Sequence, residues 1–258
     1  MEIKSTICKA VKILEGDTPY KKNKELIRDL IRNDQFSEVN LYKQLTVIDS
    51  MYSTNMSKRF FGIEEIAEAI LELFTSQEDL ESELKLFLLN PYEDSRIKFL
   101  FEKKFGYSKT GKKKAAVSLL SKYFYFVSDL NFPIYDTLVQ KFQRKLIEFY
   151  KLGAPKVRYN SSVIEYFDLM VRTKKSIGDD ISYDGLDTFV WLIGKLKDSS
   201  FSLIINLIQF RKLIEIANGV DIEVFMKDAI YGDCKDKVEA IIGKNLIEMY
   251  EFAIENFD

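Results

Sequence analysis

The sequence predicts an all-α fold, a multi-helix globular bundle. Apolar residues recur at helical spacing along almost the whole chain, and no segment alternates apolar and polar residues over the length of a strand. With only 4 prolines and 11 glycines in 258 residues, long regular elements should outnumber turns. The apolar content of 47% is ample for a sizeable buried core.

The helical pattern is clearest on either side of the sequence NFPIYDTLV (131–139). Before it, one helix face carries Val117, Leu120, Phe124 and Val127. After it, one helix face carries Leu138, Phe142, Leu146 and Phe149. Similar patterns predict helices at about 23–32, 36–52, 63–74, 77–89, 94–104, 162–175, 185–197, 200–217 and 235–256.

The run LGAPKVRYNSS (152–162) is the best candidate for a linker or domain edge. It predicts a helical region over 1–152 and a C-terminal helical region over 153–258. The second region either stands alone or packs into the same compact unit as the first.

Composition excludes several classes of site. The chain has no histidine, which rules out Ser–His and Cys–His nucleophile pairs, His general bases and His-ligated zinc. Cys8 and Cys234 lie too far apart in sequence for a metal or redox motif. No apolar run approaches the length of a membrane span, and the first residues do not resemble a signal peptide. We therefore expect a cytoplasmic protein with no cofactor, no metal and no membrane association.

Net charge is only −2, but the charge is unevenly distributed. Residues 103–158 contain thirteen basic residues against three acidic ones, whereas residues 60–84 contain eight acidic residues and no basic one. The basic segment is the natural face for a polyanion such as DNA. The acidic segments 60–84 and 221–258 are candidate contacts for a protein partner, whose identity the sequence does not indicate.

The basic segment opens with FGYSKTGKKKAAVSLLSKYFYF (105–126). A glycine-containing hairpin that runs into the start of a helix exposes backbone N–H groups, which bind phosphate well. The hairpin lysines would supply the counter-charge. The alternative is a solvated basic turn with no ligand. The candidate phosphate-binding residues are Lys109, Gly111, Lys112, Lys113 and Lys114.

Asp136 is the candidate catalytic residue. Pro133 is expected to stop the preceding helix, and Asp136 followed by Thr137 is a good N-cap for the next one. A helix N-terminus also favours an ionised carboxylate. Such a carboxylate beside a basic cleft suits the stabilisation of a cationic sugar transition state or the activation of water. The cap and the catalytic role are compatible.

The order of a glycine-bracketed hairpin, an apolar helix and a loop ending in P-x-x-D-T-x-V resembles the helix–hairpin–helix DNA glycosylase superfamily. The match covers about residues 105–145. The resemblance implies an all-α glycosylase-like fold, a hairpin that binds DNA backbone without regard to sequence, and Asp136 as the carboxylate that assists departure of a flipped base. The base would be a damaged cellular base or a modified one, such as a phage base, which would place the protein in phage defence.

Three departures from the family pattern refine this expectation. The hairpin reads GYSKTG rather than Gly-x-Gly, and the cysteines of iron–sulfur members are missing. Counting back from Asp136 by the family's usual separation leads to Ser118 rather than to a lysine, with Lys114 and Lys122 about one helical turn to either side. A glycosylase without lyase activity is therefore expected.

Four further residues are candidates for a base-binding pocket. Tyr52 and Asn55 lie in the polar break of IDSMYSTNMSKRFF (48–61), where an aromatic ring and a small amide could stack on and read a flipped base. Lys122 and Tyr135 flank the loop that leads to Asp136. The alternative for the 48–61 break is that its small polar residues only terminate a helix. The alternative for the whole chain is a non-catalytic, all-α nucleic-acid-binding or protein-interaction protein.

Overall fold

The computed structural model describes residues 2–152, 162–197 and 205–257. It confirms the all-α prediction. Within these ranges the chain forms fourteen helices and one two-stranded sheet. Among the described residues, no helix is both long and apolar enough to cross a membrane.

The elements follow one another along the chain with short connections. The first half contains α1 (Ile3–Leu14), α2 (Pro19–Asn33), α3 (Glu38–Tyr52), α4 (Gly62–Leu73), α5 (Gln77–Leu89), α6 (Arg96–Glu102), β1 (Lys104–Phe105), β2 (Lys114–Ala115) and α7 (Val117–Val127). The second half contains α8 (Thr137–Phe149), α9 (Val163–Ile177), α10 (Tyr183–Lys197), α11 (Leu207–Ala217), α12 (Ile222–Ile230), α13 (Lys235–Ile242) and α14 (Lys244–Asn256).

Several helix boundaries differ from those predicted. The pattern over 235–256 is two helices, because Gly243 adopts a φ of 88° between α13 and α14. The pattern over 94–104 ends at Glu102, because Lys104 and Phe105 pair with Ala115 and Lys114 as strands. Of the predicted helix at 200–217, residues 207–217 form α11, and residues 198–204 lie outside the described part of the chain. Helices α1 and α12 were not predicted.

Pro133 does not stop the helix before it, contrary to the prediction. Helix α7 ends at Val127, and the chain reverses where Asp129 and Leu130 adopt left-handed φ angles of 51° and 67°. The amide of Leu130 then donates to the carbonyl of Tyr125 at 2.7 Å, which satisfies an acceptor at the end of the helix. The proline lies further on, buried in the loop.

The chain groups into two compact units. Unit 1 contains Met1–Asn23, Lys141–Lys151 and Gly185–Asp258, and unit 2 contains Lys24–Gln140 and Leu152–Asp184. The predicted boundary after residue 152 adjoins residues 153–161, which lie outside the described residues, so that boundary stays a prediction.

Unit 1 is built on aromatic packing between α8 residues and the C-terminal helix. The rings of Phe149, Phe252 and Phe257 lie 5.4 to 5.7 Å apart. Helix α1 packs along α14, and Lys9 forms an ion pair with Glu248 between them. This packing is independent of the predicted site residues, all of which lie in unit 2.

The core of unit 2 is a cluster of phenylalanines. Their ring centroids lie 4.7 to 6.4 Å apart in stacked, tilted and edge-to-face arrangements. The cluster joins α5, α6, α7, α9 and the loop after α7, and its members are Phe87, Phe101, Phe124, Phe132 and Phe167.

Helix α7 is the central helix of unit 2. Every residue from Val117 to Val127 is buried except Ser118, so the dense aromatic run at 122–126 belongs to the core and offers no stacking surface. Because α7 is packed on all sides, side chains that leave it toward solvent have few routes. Ser118 in its first turn marks one of them.

Candidate functional site

The loop that carries Asp136 is fixed on both sides. Phe132 and Ile134 are buried in the core of unit 2. The hydroxyl of Tyr166 donates to the carbonyl of Ile134, and the amide of Tyr135 donates to Ser121 Oγ at 2.9 Å. Ser121 lies on the buried helix α7, so the loop is attached to the most rigid element of the unit. Asp136 is therefore held in a defined position.

Asp136 caps α8 and contacts a lysine at the same time. Its Oδ1 accepts from the amide of Leu138 at 2.8 Å, and its backbone carbonyl accepts from the amide of Gln140 at 2.9 Å. The predicted N-cap is confirmed. Its Oδ2 lies 3.5 Å from Lys122 Nζ. The side chain remains 32% exposed, so the carboxylate is accessible from solvent while its orientation is fixed.

Lys122 supplies a buried positive charge next to this carboxylate. Its side chain is only 3% exposed, and Nζ donates to Ser118 Oγ at 2.8 Å. Ser118 is the position to which the family spacing leads, and Lys122 lies one helical turn further along α7. The lysine thus reaches, from the next turn, the place that sequence counting left without an amine.

Of the other predicted pocket residues, one joins this group. The ring of Tyr52, half-buried at the end of α3, lies 5.7 Å from Lys122 Nζ and 6.0 Å from the ring of Phe126. We call Tyr52, Ser118, Lys122 and Asp136 the Asp136 site. It combines a fixed carboxylate, a buried ammonium, a hydroxyl and an aromatic ring.

Tyr135 and Asn55 have other contacts. Tyr135 packs edge-to-face on Tyr166 at 4.9 Å, and it is half-buried. Asn55 is exposed, with a left-handed φ of 63°, and its amide donates to the carbonyl of Ser53 at 2.8 Å. The structure gives Asn55 a role in its own turn, whereas a role in reading a base stays a prediction.

The sequence analysis missed Asp49, which organises the 53–57 turn. Its buried carboxylate accepts hydrogen bonds from Thr54 Oγ1, from Ser57 Oγ at 2.5 Å, and from the amides of Met56 and Ser57 at 2.8 and 3.0 Å. Burial opposes ionisation, but these hydrogen bonds outweigh it and lower the pKa of Asp49. An aspartate at a helix end followed by Ser, Thr and Asn is the signal that could have identified it.

The predicted phosphate-binding residues form a β-hairpin. Lys104 pairs with Ala115 and Phe105 with Lys114, and the turn closes through the amide of Gly111, which donates to the carbonyl of Ser108 at 2.9 Å. Helix α7 follows directly, and its N-cap residue Ala116 makes no side-chain cap hydrogen bond. The three exposed lysines of the turn and β2 make no ion pair among the described residues: Lys109, Lys112 and Lys114.

Lys113 differs from the other hairpin lysines. Its Nζ donates to both carboxylate oxygens of Glu65 at 2.8 and 3.0 Å, and it lies 4.4 Å from the centroid of the Tyr107 ring. The hydrogen bond from Glu65 raises the pKa of the Lys113 ammonium. Because Glu65 already balances this charge, Lys113 is a weaker candidate for phosphate than its neighbours.

Two residues outside the predicted set attach the hairpin to α4. The guanidinium of Arg59 donates to the carbonyl of Gly106 at 3.1 and 3.0 Å and to that of Lys112, and Glu65 accepts from the amide of Gly106 at 2.9 Å. Gly106 has a φ of 57°, and a Cβ added there would lie 2.6 Å from the Cα of Gly62. Only glycine fits this close approach of two backbones.

Within the described residues, no three carboxylate or cysteine side chains group as a metal site would require. Two cavities lie in unit 1. One, of about 310 Å³, is bordered by Lys12, Asn206 and Lys244, and the other by Phe149 and three glutamates. Neither is lined by a residue of the Asp136 site.

Comparisons of this chain with protein-family models, with curated proteins and with solved structures found no match.

Proposed function

We propose that this chain is a DNA glycosylase-like protein. It binds duplex DNA through the hairpin lysines, accepts a flipped damaged or modified base, and cleaves the N-glycosidic bond without lyase activity. The observation that carries the proposal is the geometry of Asp136, a solvent-accessible carboxylate whose orientation is fixed by a helix cap and by a buried lysine.

In the proposed reaction the bond between C1′ of the sugar and the base nitrogen breaks, and its electron pair leaves with the base. Positive charge then develops on the sugar, where a fixed carboxylate stabilises it better than reorienting water would. Asp136 also accepts the proton of the water that attacks C1′. Because the loop is anchored through Ser121 and Ile134, the carboxylate needs no reorganisation during the reaction.

Lys122 is assigned a positioning role. A lyase would need a neutral amine that attacks C1′ and forms an imine. Here Nζ donates to Ser118 and faces the Asp136 carboxylate, contacts in which the ammonium form is the one favoured. We therefore expect hydrolysis alone. A borohydride-trapped covalent complex between the protein and DNA that contains an abasic site would contradict this assignment.

The direct test is Asp136→Asn. Asparagine retains the N-cap but removes the negative charge, so base release should fall at least about 100-fold while folding and DNA binding are kept. The assay measures release of bases from modified or damaged duplex DNA, with circular dichroism and DNA affinity as controls. Full activity in the variant would eliminate the proposed mechanism.

A second candidate function rests on the same contacts. Since Oδ1 of Asp136 caps α8 and Oδ2 faces Lys122, the carboxylate can also be purely structural. The chain would then be a non-catalytic, all-α nucleic-acid-binding or protein-interaction protein.

Affinity for DNA carrying an abasic-site analogue separates the two candidates. A marked preference for the analogue over plain duplex supports a pocket for flipped bases, and equal, salt-sensitive binding supports a simple binder. No binding of either DNA would remove both DNA functions.

A cytoplasmic location is part of the proposal. It is supported by the two cysteines, both of which are free, as expected in a reducing compartment. Cell fractionation of the tagged protein tests this, and recovery outside the cytoplasmic fraction would contradict it.

A further inference from the structure

Three exposed aromatic side chains lie beside the basic hairpin. Phe60 and Phe61, directly before α4, are 62% and 63% exposed, and Tyr107 in the hairpin is 40% exposed. We call residues 58–61 and 104–115 the hairpin surface. Exposed phenylalanines that are adjacent to each other mark a contact site more often than isolated ones do.

The backbone that carries these rings is firmly held. Phe60 and Tyr107 form an antiparallel bridge in which the amide of Phe60 donates to the carbonyl of Tyr107 at 3.1 Å and the amide of Tyr107 donates back at 2.9 Å. Arg59 adds its hydrogen bonds to the Gly106 carbonyl, and Gly62 packs on Gly106. A ligand that binds here therefore orders little of the protein backbone.

Phe61 also occupies an unfavourable backbone conformation. Its φ of 59° lies in the left-handed region, which a bulky side chain adopts at a cost and which glycine or asparagine adopts readily. It is the N-cap residue of α4 and makes no side-chain cap hydrogen bond. A strained, exposed phenylalanine with no capping role is explained best by what its ring contacts.

The charge around these rings indicates the kind of ligand. The hairpin surface contains seven basic residues and no acidic one, and only Lys113 among its lysines has an ion pair, with Glu65, among the described residues. Rings combined with free lysines suit a ligand that has both π-faces and phosphates. An apolar protein surface would match the rings and leave the lysines unmatched. The six other basic residues are Lys58, Arg59, Lys104, Lys109, Lys112 and Lys114.

We propose that Phe60 and Phe61 form a stacking platform for unpaired bases of DNA, while the lysines of the hairpin surface bind the phosphates of the same strand. The preferred substrate is then DNA with a single-stranded, gapped or unstacked segment rather than regular duplex. The proposal rests on the DNA-binding part of the proposed function and is independent of the chemistry at Asp136.

The experiment compares binding to two single strands of equal length and equal charge. One is an oligothymidine, and the other has the same backbone with every base replaced by an abasic analogue. Fluorescence anisotropy at fixed salt measures both affinities. Because stacking does not depend on the phosphates, we expect the wild-type chain to bind the thymidine strand about tenfold more tightly for each stacked base.

The variant Phe60→Ala with Phe61→Asn removes both rings and should lose this preference. The Phe60–Tyr107 bridge uses only backbone atoms, and asparagine accepts a left-handed φ, so the fold is expected to persist. The matched control is Tyr231→Ala, which removes an aromatic ring that is also 63% exposed but lies in unit 1. Thermal unfolding checks all three proteins.

The outcomes separate this inference from the proposed function. A preference for the thymidine strand that disappears in the double variant and survives in Tyr231→Ala supports the stacking platform. Equal affinity for the two strands, or a preference that the double variant keeps, overturns it while leaving duplex binding intact. Loss of all DNA binding by the wild-type chain overturns both. Binding to a protein or a lipid vesicle that needs both rings, without a base preference, also overturns the stacking role.

Discussion

Two aspartates of unit 2, Asp49 and Asp136, lie at helix–loop junctions and differ in how the protein uses their oxygens. The carboxylate of Asp49 is buried and receives four hydrogen bonds from the turn after α3. Asp136 receives one hydrogen bond from the amide of Leu138, faces Lys122 and remains a third exposed. A carboxylate saturated by protein donors holds a turn, whereas one left partly exposed can still act on a ligand.

The largest expected effect tests the structural half of this comparison. Asp49→Ala should lower the free energy of unfolding by about 4 kcal/mol, because it leaves two amides and two hydroxyls of the turn without their acceptor. Urea denaturation measures the change. The matched variant Asp136→Asn should cost less than about 1 kcal/mol, since asparagine caps a helix as well as aspartate does. Equal losses in the two variants would erase the distinction.

The second effect concerns the other attachment of the same loop. Gly106→Ala should cost about 3 kcal/mol, because the new Cβ meets the Cα of Gly62 at 2.6 Å in a left-handed conformation. Gly111→Ala shares the positive φ, at 74°, but meets nothing within 4 Å, so we expect only about 1 kcal/mol there. If both variants unfold at the same denaturant concentration, the close approach of Gly106 and Gly62 contributes nothing.

The third effect is a dependence of stability on pH, and it is only part of the Asp49 contribution. Since the pKa of Asp49 is lowered in the folded state, its ionisation stabilises the protein above the unfolded pKa, near pH 4. That stability is lost as the pH falls through the lower, folded pKa. Unfolding curves between pH 7 and pH 2 should show a smaller loss on acidification for Asp49→Asn than for the wild type. Parallel curves would contradict the assignment.

The smallest effect sharpens the contrast between lysines that are free and one that is already paired. Replacing Lys109, Lys112 or Lys114 by alanine should each reduce the slope of log K against log salt by about 0.9 for duplex DNA. Lys113→Ala should reduce it less, because Glu65 already balances this charge. The four slopes come from one titration series. A slope change at Lys113 as large as the others would show that DNA displaces Glu65.

Much of the fold could be predicted because helix periodicity is a local property. The patterns around 117–127 and 138–149 correspond to α7 and α8, and Asp136 begins α8 as its cap. Helix ends were harder. Two left-handed residues before Asn131, rather than Pro133, reverse the chain after α7, and Gly243 divides the last predicted helix. Such turns depend on backbone angles that residue types alone do not fix.

The candidate site was predictable only in part. Spacing leads to Asp136 and to Ser118, but not to Lys122, since a side chain one helical turn away can reach the same point only if packing directs it there. The roles of Asp49, Arg59 and Glu65 arise from contacts between segments that are distant in sequence or from a turn closed by a buried carboxylate.

The sequence by itself determined the all-α architecture, the basic character of the hairpin and the cap at Asp136, because helix periodicity, charge and capping act over a few residues. Only the tertiary structure decided which charges are used within the protein. It buries Lys122 beside Asp136, pairs Lys113 with Glu65, and leaves Phe60 and Phe61 exposed beside unpaired lysines of the described hairpin. These outcomes depend on which surfaces the packed helices bring together, and a charge or a ring is available to a ligand only where that packing leaves it uncovered.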